Sequence, residues 1–260
     1  MELTFANNFR FSCIKLTTTR SRSPTRTTNA RLAGLVFLFY IPTGIASMVL
    51  FGKATSGAEG TAATLASIAQ HASLVRVTIV LTLLQAAYAL VLAVTLFALT
   101  RDQDRDLAVM ALSCRVGEGV IAAISPVRTL ALLSIATAAA PDAATQALGA
   151  LLLRMGGWTG LIAATCFAVG STLYSYLFLR ARSIPRPLAW LGVLASVLLV
   201  VALPLQLAGF VRGQVSNFIW IPMLVFEVAL ALWLLIRGVG MSQNRQSPPA
   251  HAGPGNLKRA

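Results

Sequence analysis

The chain has 260 residues, of which 57% are hydrophobic and only 11% charged, and its net charge is +13. Soluble domains carry about 25% charged residues, so this composition argues against a water-dispersed globule, and the long apolar runs point to lipid as their solvent. The Lys and Arg excess lies in the tails and between apolar runs, with no array of aromatic and basic residues for stacking on bases, so no nucleic-acid partner is expected.

Residues 1–30 form a basic tail rich in Ser, Thr and Asn, carrying Arg10, Lys15, Arg20, Arg22 and Arg26 against the single acid Glu2. It reads as a disordered cytoplasmic tail rather than a transit peptide. The first apolar run, Leu32 to Gly52, is longer than a secretory h-region of roughly 7–15 residues and reads as a retained span. Further runs follow at Leu74 to Leu99, Leu107 to Ala136, Trp158 to Leu179, Leu188 to Val211 and Phe218 to Ile236. A helix needs about 20 residues to cross hydrocarbon. Helices are the form expected, because an open strand leaves backbone groups unsatisfied in lipid. The fold class is therefore all-α, a polytopic membrane helix bundle with about six transmembrane helices over residues 31–238, followed by a disordered cytoplasmic tail over 239–260.

The links have characters of their own. Arg101-Asp102-Gln103-Asp104-Arg105-Asp106 is a short charged turn, and Ile184-Pro185-Arg186-Pro187 stops one helix and starts the next. Residues 53–73 and 138–157 are longer. Pro141-Asp142 looks like a helix start, and Leu148, Leu151 and Leu152 before Arg154 suggest a short interfacial helix. With the N-terminus inside, the basic tails join Arg101, Arg105, Arg180, Arg182, Arg186 and Arg237 on the cytoplasmic side. Only Lys53, Arg76, Arg154 and Arg212 fall opposite. This asymmetry predicts both termini in the cytoplasm.

Three ionisable residues lie deep in the predicted spans. Glu118 is eleven positions beyond Leu107, and Glu227 is eleven beyond Ser216. Each is then about 16 Å into a core about 30 Å thick. Arg115 is one turn from Glu118 on the same face. A charge at such depth costs roughly 2.5–3.5 kcal/mol on insertion scales and rarely faces lipid. The simplest arrangement buries Arg115 against Glu118, Glu227 or both, and Gly117 and Gly119 would let another helix approach. Two readings stand side by side. One is a buried ion pair that fixes helix register. The other is a polar centre binding an ion, a proton or a small polar ligand, because two carboxylates share one Arg. Gln85, Tyr88, Tyr174 and Gln206, and with them Ser171, Thr172 and Ser175, are contributors at mid-span. Pro126 should kink its helix, and Arg128 should snorkel or face a polar cavity. Trp158, Trp190, Trp220 and Trp233 read as interfacial anchors at span ends.

Cys13, Cys114 and Cys166 have no metal-ligand spacing, and His71 and His251 are the only histidines. No disulfide framework, metal site or cofactor is expected, and no nucleophile–base motif or phosphate loop is present.

Several stretches, in order, resemble one family. They are Arg31-Leu32-Ala33-Gly34-Leu35, then Cys114-Arg115-Val116-Gly117-Glu118-Gly119-Val120-Ile121, then Tyr176-Leu177-Phe178-Leu179-Arg180 through Ile184-Pro185-Arg186, and last Phe226-Glu227-Val228-Ala229-Leu230 with Trp233-Leu234-Leu235. Together they are similar to domain-of-unknown-function family 4386, bacterial multi-pass membrane proteins. The resemblance covers roughly residues 30–240. It implies six spans and a bacterial inner membrane, and it implies no biochemical activity.

Three functions follow from these readings. The first is a non-enzymatic membrane protein that senses or moves a small solute or ion through the Arg115, Glu118 and Glu227 centre. The second is a structural or scaffold component of a membrane complex, with a membrane protein as partner. The third is an intramembrane enzyme with Glu118 and Glu227 as acid or base and Arg115 steadying an anion.

Overall fold

Every regular element in the described residues is a helix. A computed structural model describes residues 26–56, 59–138, 142–211 and 218–238. Most of the N-terminal tail, the C-terminal tail from residue 239, Cys13, Arg212 and His251 lie outside the described residues. The helices are α1 (Arg26–Thr55), α2 (Thr61–Gln70), α3 (Ala72–Thr100), α4 (Arg105–Ala136), α5 (Ala143–Ala181), α6 (Arg186–Leu207) and α7 (Ile221–Ile236). Five of them, α1, α3, α4, α5 and α6, are long and apolar enough to cross a membrane. The sixth predicted run becomes α7, a shorter apolar helix of 16 residues that spans about 24 Å at 1.5 Å per residue.

Helix boundaries follow local chemistry. Asp104 caps α4 by accepting from the Leu107 amide at 3.2 Å, and Asp142 caps α5 by accepting from Thr145 at 2.8 Å. At the C-terminus of α5, Arg182 takes a left-handed conformation with φ of 51° and bonds back to Leu179, while Ser183 bonds back to Phe178. Pro185 then caps α6. Gly238 closes α7 at φ of 69°, donating to the carbonyls of Trp233 and Leu234, where positive φ favours glycine.

Four boundaries differ from the sequence expectation. Helix α1 begins at Arg26, so Arg26 to Ala30 belong to the first helix and not to the tail. There Arg26 Nη2 donates to the Leu99 carbonyl at 2.8 Å, closing the end of α3 and giving this turn a reason to be ordered. The 53–73 link contains α2, which abuts α3 with only His71 between them. The 138–157 segment is not a separate interfacial helix. Residues 143–157 are the first third of α5, which runs 39 residues unbroken through Gly156-Gly157. The glycine pair weakens helix propensity and so suggests a break. In the fold, Gly156 is instead where Arg128 of α4 crosses α5: a Cβ there would lie 2.5 Å from Arg128 Nη1. Finally α6 ends at Leu207, short of Val211, and α7 begins three residues after Phe218.

Packing follows chain order around a ring: α1 on α3, α3 on α4, α4 on α5, α5 on α6, α6 on α7, and α7 back on α1. Helix α2 caps one end, where Leu65 and Ile68 are buried with Ala54, Val75, Leu132 and Leu133. Small residues set the tight seams. A Cβ on Gly34 would lie 2.7 Å from the Ala231 carbonyl oxygen, so α1 and α7 meet backbone to backbone. The outside of the ring is apolar: Met48, Val80, Ile124, Val127 and Leu194 are each more than 60% exposed. An apolar belt this continuous suits lipid rather than water.

The two ends differ in charge. Arg26, Arg101, Arg105, Arg180, Arg182, Arg186 and Arg237 gather at the end opposite α2, where Arg180 pairs with Asp104 at 3.2 Å. Lys53, Arg76 and Arg154 lie toward the α2 end.

Candidate functional site

Halfway along α4, Arg115 and Glu118 point into the ring. Their side chains pair at 2.8 Å, and the two residues are 1% and 6% exposed. The i, i+3 spacing places both on one helical face. Tyr40 of α1 completes the carboxylate by donating its hydroxyl to Glu118 Oε1 at 2.6 Å. The Arg115 guanidinium lies over the Phe167 ring of α5, 4.7 Å from its centroid, and 5.9 Å from that of Tyr40, distances at which a cation is held by the ring faces. Gly170 makes room for it: a Cβ there would be 3.0 Å from Arg115 Cγ.

Glu227 of α7 is in a different condition. It is 7% exposed, forms no ion pair among the described residues, and its Oε1 is buried without a hydrogen-bond partner. Arg115 is thus committed to Glu118, the nearer of the two acids in sequence, and the second carboxylate is left over.

Glu118 and Glu227 both line a partly open cavity of about 680 Å³ bounded by α1, α3, α4, α5 and α7. Its polar groups are Tyr40, Thr82, Gln85, Ser125, Thr159 and the two carboxylates, and the rest is apolar, including Ile41, Ile45, Met48, Ala163, Phe167, Trp220 and Leu224. From the level of the carboxylates it extends toward the α2 end of the bundle. On the other side of Glu227 a narrow gap is lined by Arg115, Ser171, Tyr174, Ser175 and Phe178, and Met223 and Glu227 face both spaces.

The expected contributors divide. Gln85 lines the cavity, and Tyr174 lines the narrow gap beside Arg115 while donating to the Ala93 carbonyl at 3.1 Å. Tyr88 instead stacks on Phe39 with centroids 6.4 Å apart, and Gln206 near the end of α6 has a buried, unpartnered Oε1; neither lines the cavity. Thr172 bonds back to its own helix at Ala168. Of the flanking glycines, Gly119 meets Leu90 of α3 closely, whereas Gly117 has only Cys166 Sγ at 3.9 Å. Arg128 neither snorkels nor faces the cavity; it lies across α5 and donates to the Leu152 carbonyl at 3.1 Å. Trp158 lies well inside α5, and Trp220 forms part of the cavity wall with its ring 6.2 Å from that of Phe167, so neither is simply an anchor at a span end.

Three participants were not picked out from sequence: Tyr40, Phe167 and Trp220. Tyr40 carried a signal, since a tyrosine in the middle of an apolar run needs a partner for its hydroxyl. Phe167 carried none, being one apolar residue among many.

No curated protein and no solved structure matches the chain. The family model described as a domain of unknown function, number 4386, matches residues 32–238, from the second turn-forming stretch of α1 to the glycine that ends α7. That match takes in α2 to α7 whole, α1 from Leu32 onward and every residue of the Arg115, Glu118 and Glu227 centre, and the chain belongs to domain-of-unknown-function family 4386.

Proposed function

We propose that this is a multi-pass protein of a bacterial cell membrane, with its strongly basic end in the cytoplasm, that binds a small solute in the cavity beside Glu118 and Glu227 in order to sense it or move it. The charge asymmetry between the two ends supports the orientation. The observation that carries the solute reading is Glu227, a buried carboxylate at a cavity wall with an oxygen that bonds to nothing in the described protein. Intramembrane acids that face a cavity mark ligand or ion paths by default. A purely structural role suits the cluster of Arg115, Glu118 and Tyr40, in which Glu118 is met on both of its oxygens; it does not account for Glu227.

The test is the stability of Glu227→Gln, measured by thermal unfolding in neutral detergent. The exchange keeps the shape and removes the charge, so a residue held for a ligand should leave stability unchanged or raise it. A loss of about 3–5 kcal/mol, the cost of breaking a buried ion pair, would show that Glu227 supports the fold and would overturn the reading.

A further inference from the structure

We propose that the cavity selects an organic monocation with an apolar body, seated with its ammonium group against Glu227; this rests on the solute-binding reading above and names the ligand class. The charge pattern of the wall is the first argument. Among the described residues lining the cavity there is no Lys, Arg or His, and the two charged side chains are both acids. Glu118 is already matched by Arg115 and Tyr40. Glu227 is therefore the lining acid that makes no ion pair of its own among the described residues, and with one Arg115 beside two acids the centre carries one excess negative charge. A bound cation offsets that charge, a neutral solute leaves it stranded in low dielectric, and an anion opposes it.

The rest of the wall selects the kind of cation. A metal ion of the alkaline-earth type takes six to eight oxygen ligands, whereas most of this wall is aliphatic or aromatic carbon. Trp220 and Phe167, with ring centroids 6.2 Å apart, line the same cavity as Glu227. Phe167 already shares its ring with Arg115, and the indole of Trp220 offers the strongest aromatic face for an ammonium group. The volume of about 680 Å³ falls within the range of roughly 300–1,000 Å³ typical of small-molecule sites and leaves space for an apolar body along Ile45, Met48 and Leu224. The ammonium of a phospholipid headgroup offers the same cationic chemistry. It brings a phosphate with it, however, and this wall has no basic residue to meet one.

The experiment uses the purified full chain in neutral detergent with four probes: benzyltrimethylammonium, its uncharged isostere neopentylbenzene, phenylacetate and phosphocholine. Binding is read as ligand-dependent thermal stabilisation, which grows with ligand concentration over Kd, and as heat in calorimetric titration. Benzyltrimethylammonium should bind. Its affinity should fall about tenfold or more in Glu227→Gln, the scale of one charge-assisted contact, and should fall also in Trp220→Leu. Trp158→Leu, away from the cavity, should leave it unchanged. Binding of neopentylbenzene or phenylacetate as tight as the cation, abolished by Ala163→Phe, would overturn the ligand class and leave the solute cavity standing. Phosphocholine binding as tightly as benzyltrimethylammonium would assign the site to a lipid headgroup and likewise overturn the class. If none of the four probes binds, both the class and the solute reading fall.

Discussion

Breaking the Arg115–Glu118 pair from either side should destabilise the protein far more than removing both partners together would suggest. In Arg115→Met the thioether keeps the lower part of the side chain, and its sulfur–aromatic interaction with Phe167 can replace part of the cation–ring attraction. Glu118 then retains the Tyr40 hydroxyl on Oε1 and loses its only ionic partner on Oε2. In Glu118→Gln the Tyr40 acceptor survives, and a guanidinium that is 1% exposed loses its ion pair, with Glu227 across the narrow gap as the one acid remaining beside it among the described residues. Stranding one member of a buried pair costs about 3–5 kcal/mol. A domain of 150–250 residues shifts its Tm by about 2–4 °C per kcal/mol, so each single change should lower Tm by about 6–20 °C. In the double variant the stranded charge is gone, and the two changes should couple by about 2 kcal/mol, within the range for residues in direct contact. The assay is a double-mutant cycle by thermal unfolding in detergent, followed by circular dichroism. The reasoning fails if Arg115→Met lies within about 1 kcal/mol of the parent, or if the double variant loses the full sum of the two singles.

Gly34→Val places carbon against the Ala231 carbonyl and the Leu235 backbone, atoms that do not move aside as a side-chain tip would. It should cost about 1–3 kcal/mol, seen as a lower Tm, whereas Gly52→Ala, with open space around it, should leave Tm unchanged. Gly156→Ala and Arg128→Met should each cost about 1 kcal/mol, the worth of one hydrogen bond. Because the new methyl displaces the guanidinium that bonds Leu152, the double variant should lose no more than either single in the same unfolding assay. Asp142 sits outside the apolar spans, and hydrogen bonds from the Thr145 side chain and backbone hold its carboxyl below the ordinary value. A carboxyl depressed by folding contributes stability that is complete above its unfolded pKa of about 4 and is lost as pH falls through the folded value. Protection of the first-turn amides of α5, taken relative to their intrinsic exchange rate at each pH, should therefore fall on acidification through that window, and Asp142→Ala should show the lower protection at every pH.

The architecture was legible because lipid imposes two simple demands, length and apolarity, that leave long runs in the chain. The runs ending at Leu99 and Ala136 correspond to α3 and α4 to within a few residues at each end. What misled was punctuation whose meaning depends on a neighbour. Pro141-Asp142 at one end and Arg154 at the other suggest a short separate helix, whereas α5 continues through Gly156, where Arg128 passes over it. Likewise Arg26 belongs to a polar tail by composition and to a helix by its bond to Leu99, 73 positions away. Sequence depth brought Arg115, Glu118 and Glu227 to one level, since a charge in an apolar run is conspicuous wherever it lies. It could not divide one arginine between two acids. That division is made by Tyr40 and Phe167, residues whose types are ordinary in a membrane helix and whose roles come from the ring order of the helices.

The ring order also explains why one acid is satisfied and the other is not. Arg115 and Glu118 share a helix, so the geometry of α4 keeps them within reach of each other, and Tyr40 and Phe167 complete their surroundings. Glu227 comes from α7, the shortest of the ring helices, held by its backbone contact with Gly34 of α1 and by Phe226 against Gly192 of α6. Those seams lie at the two sides of α7, leaving its Glu227 face turned toward the cavity rather than clamped between helices. A carboxylate placed on such an element changes its surroundings when α7 shifts, while the Arg115–Glu118 pair does not. If the proposed solute favours one placement of Glu227, it can shift α7 by as much as its affinity differs between placements, and by no more.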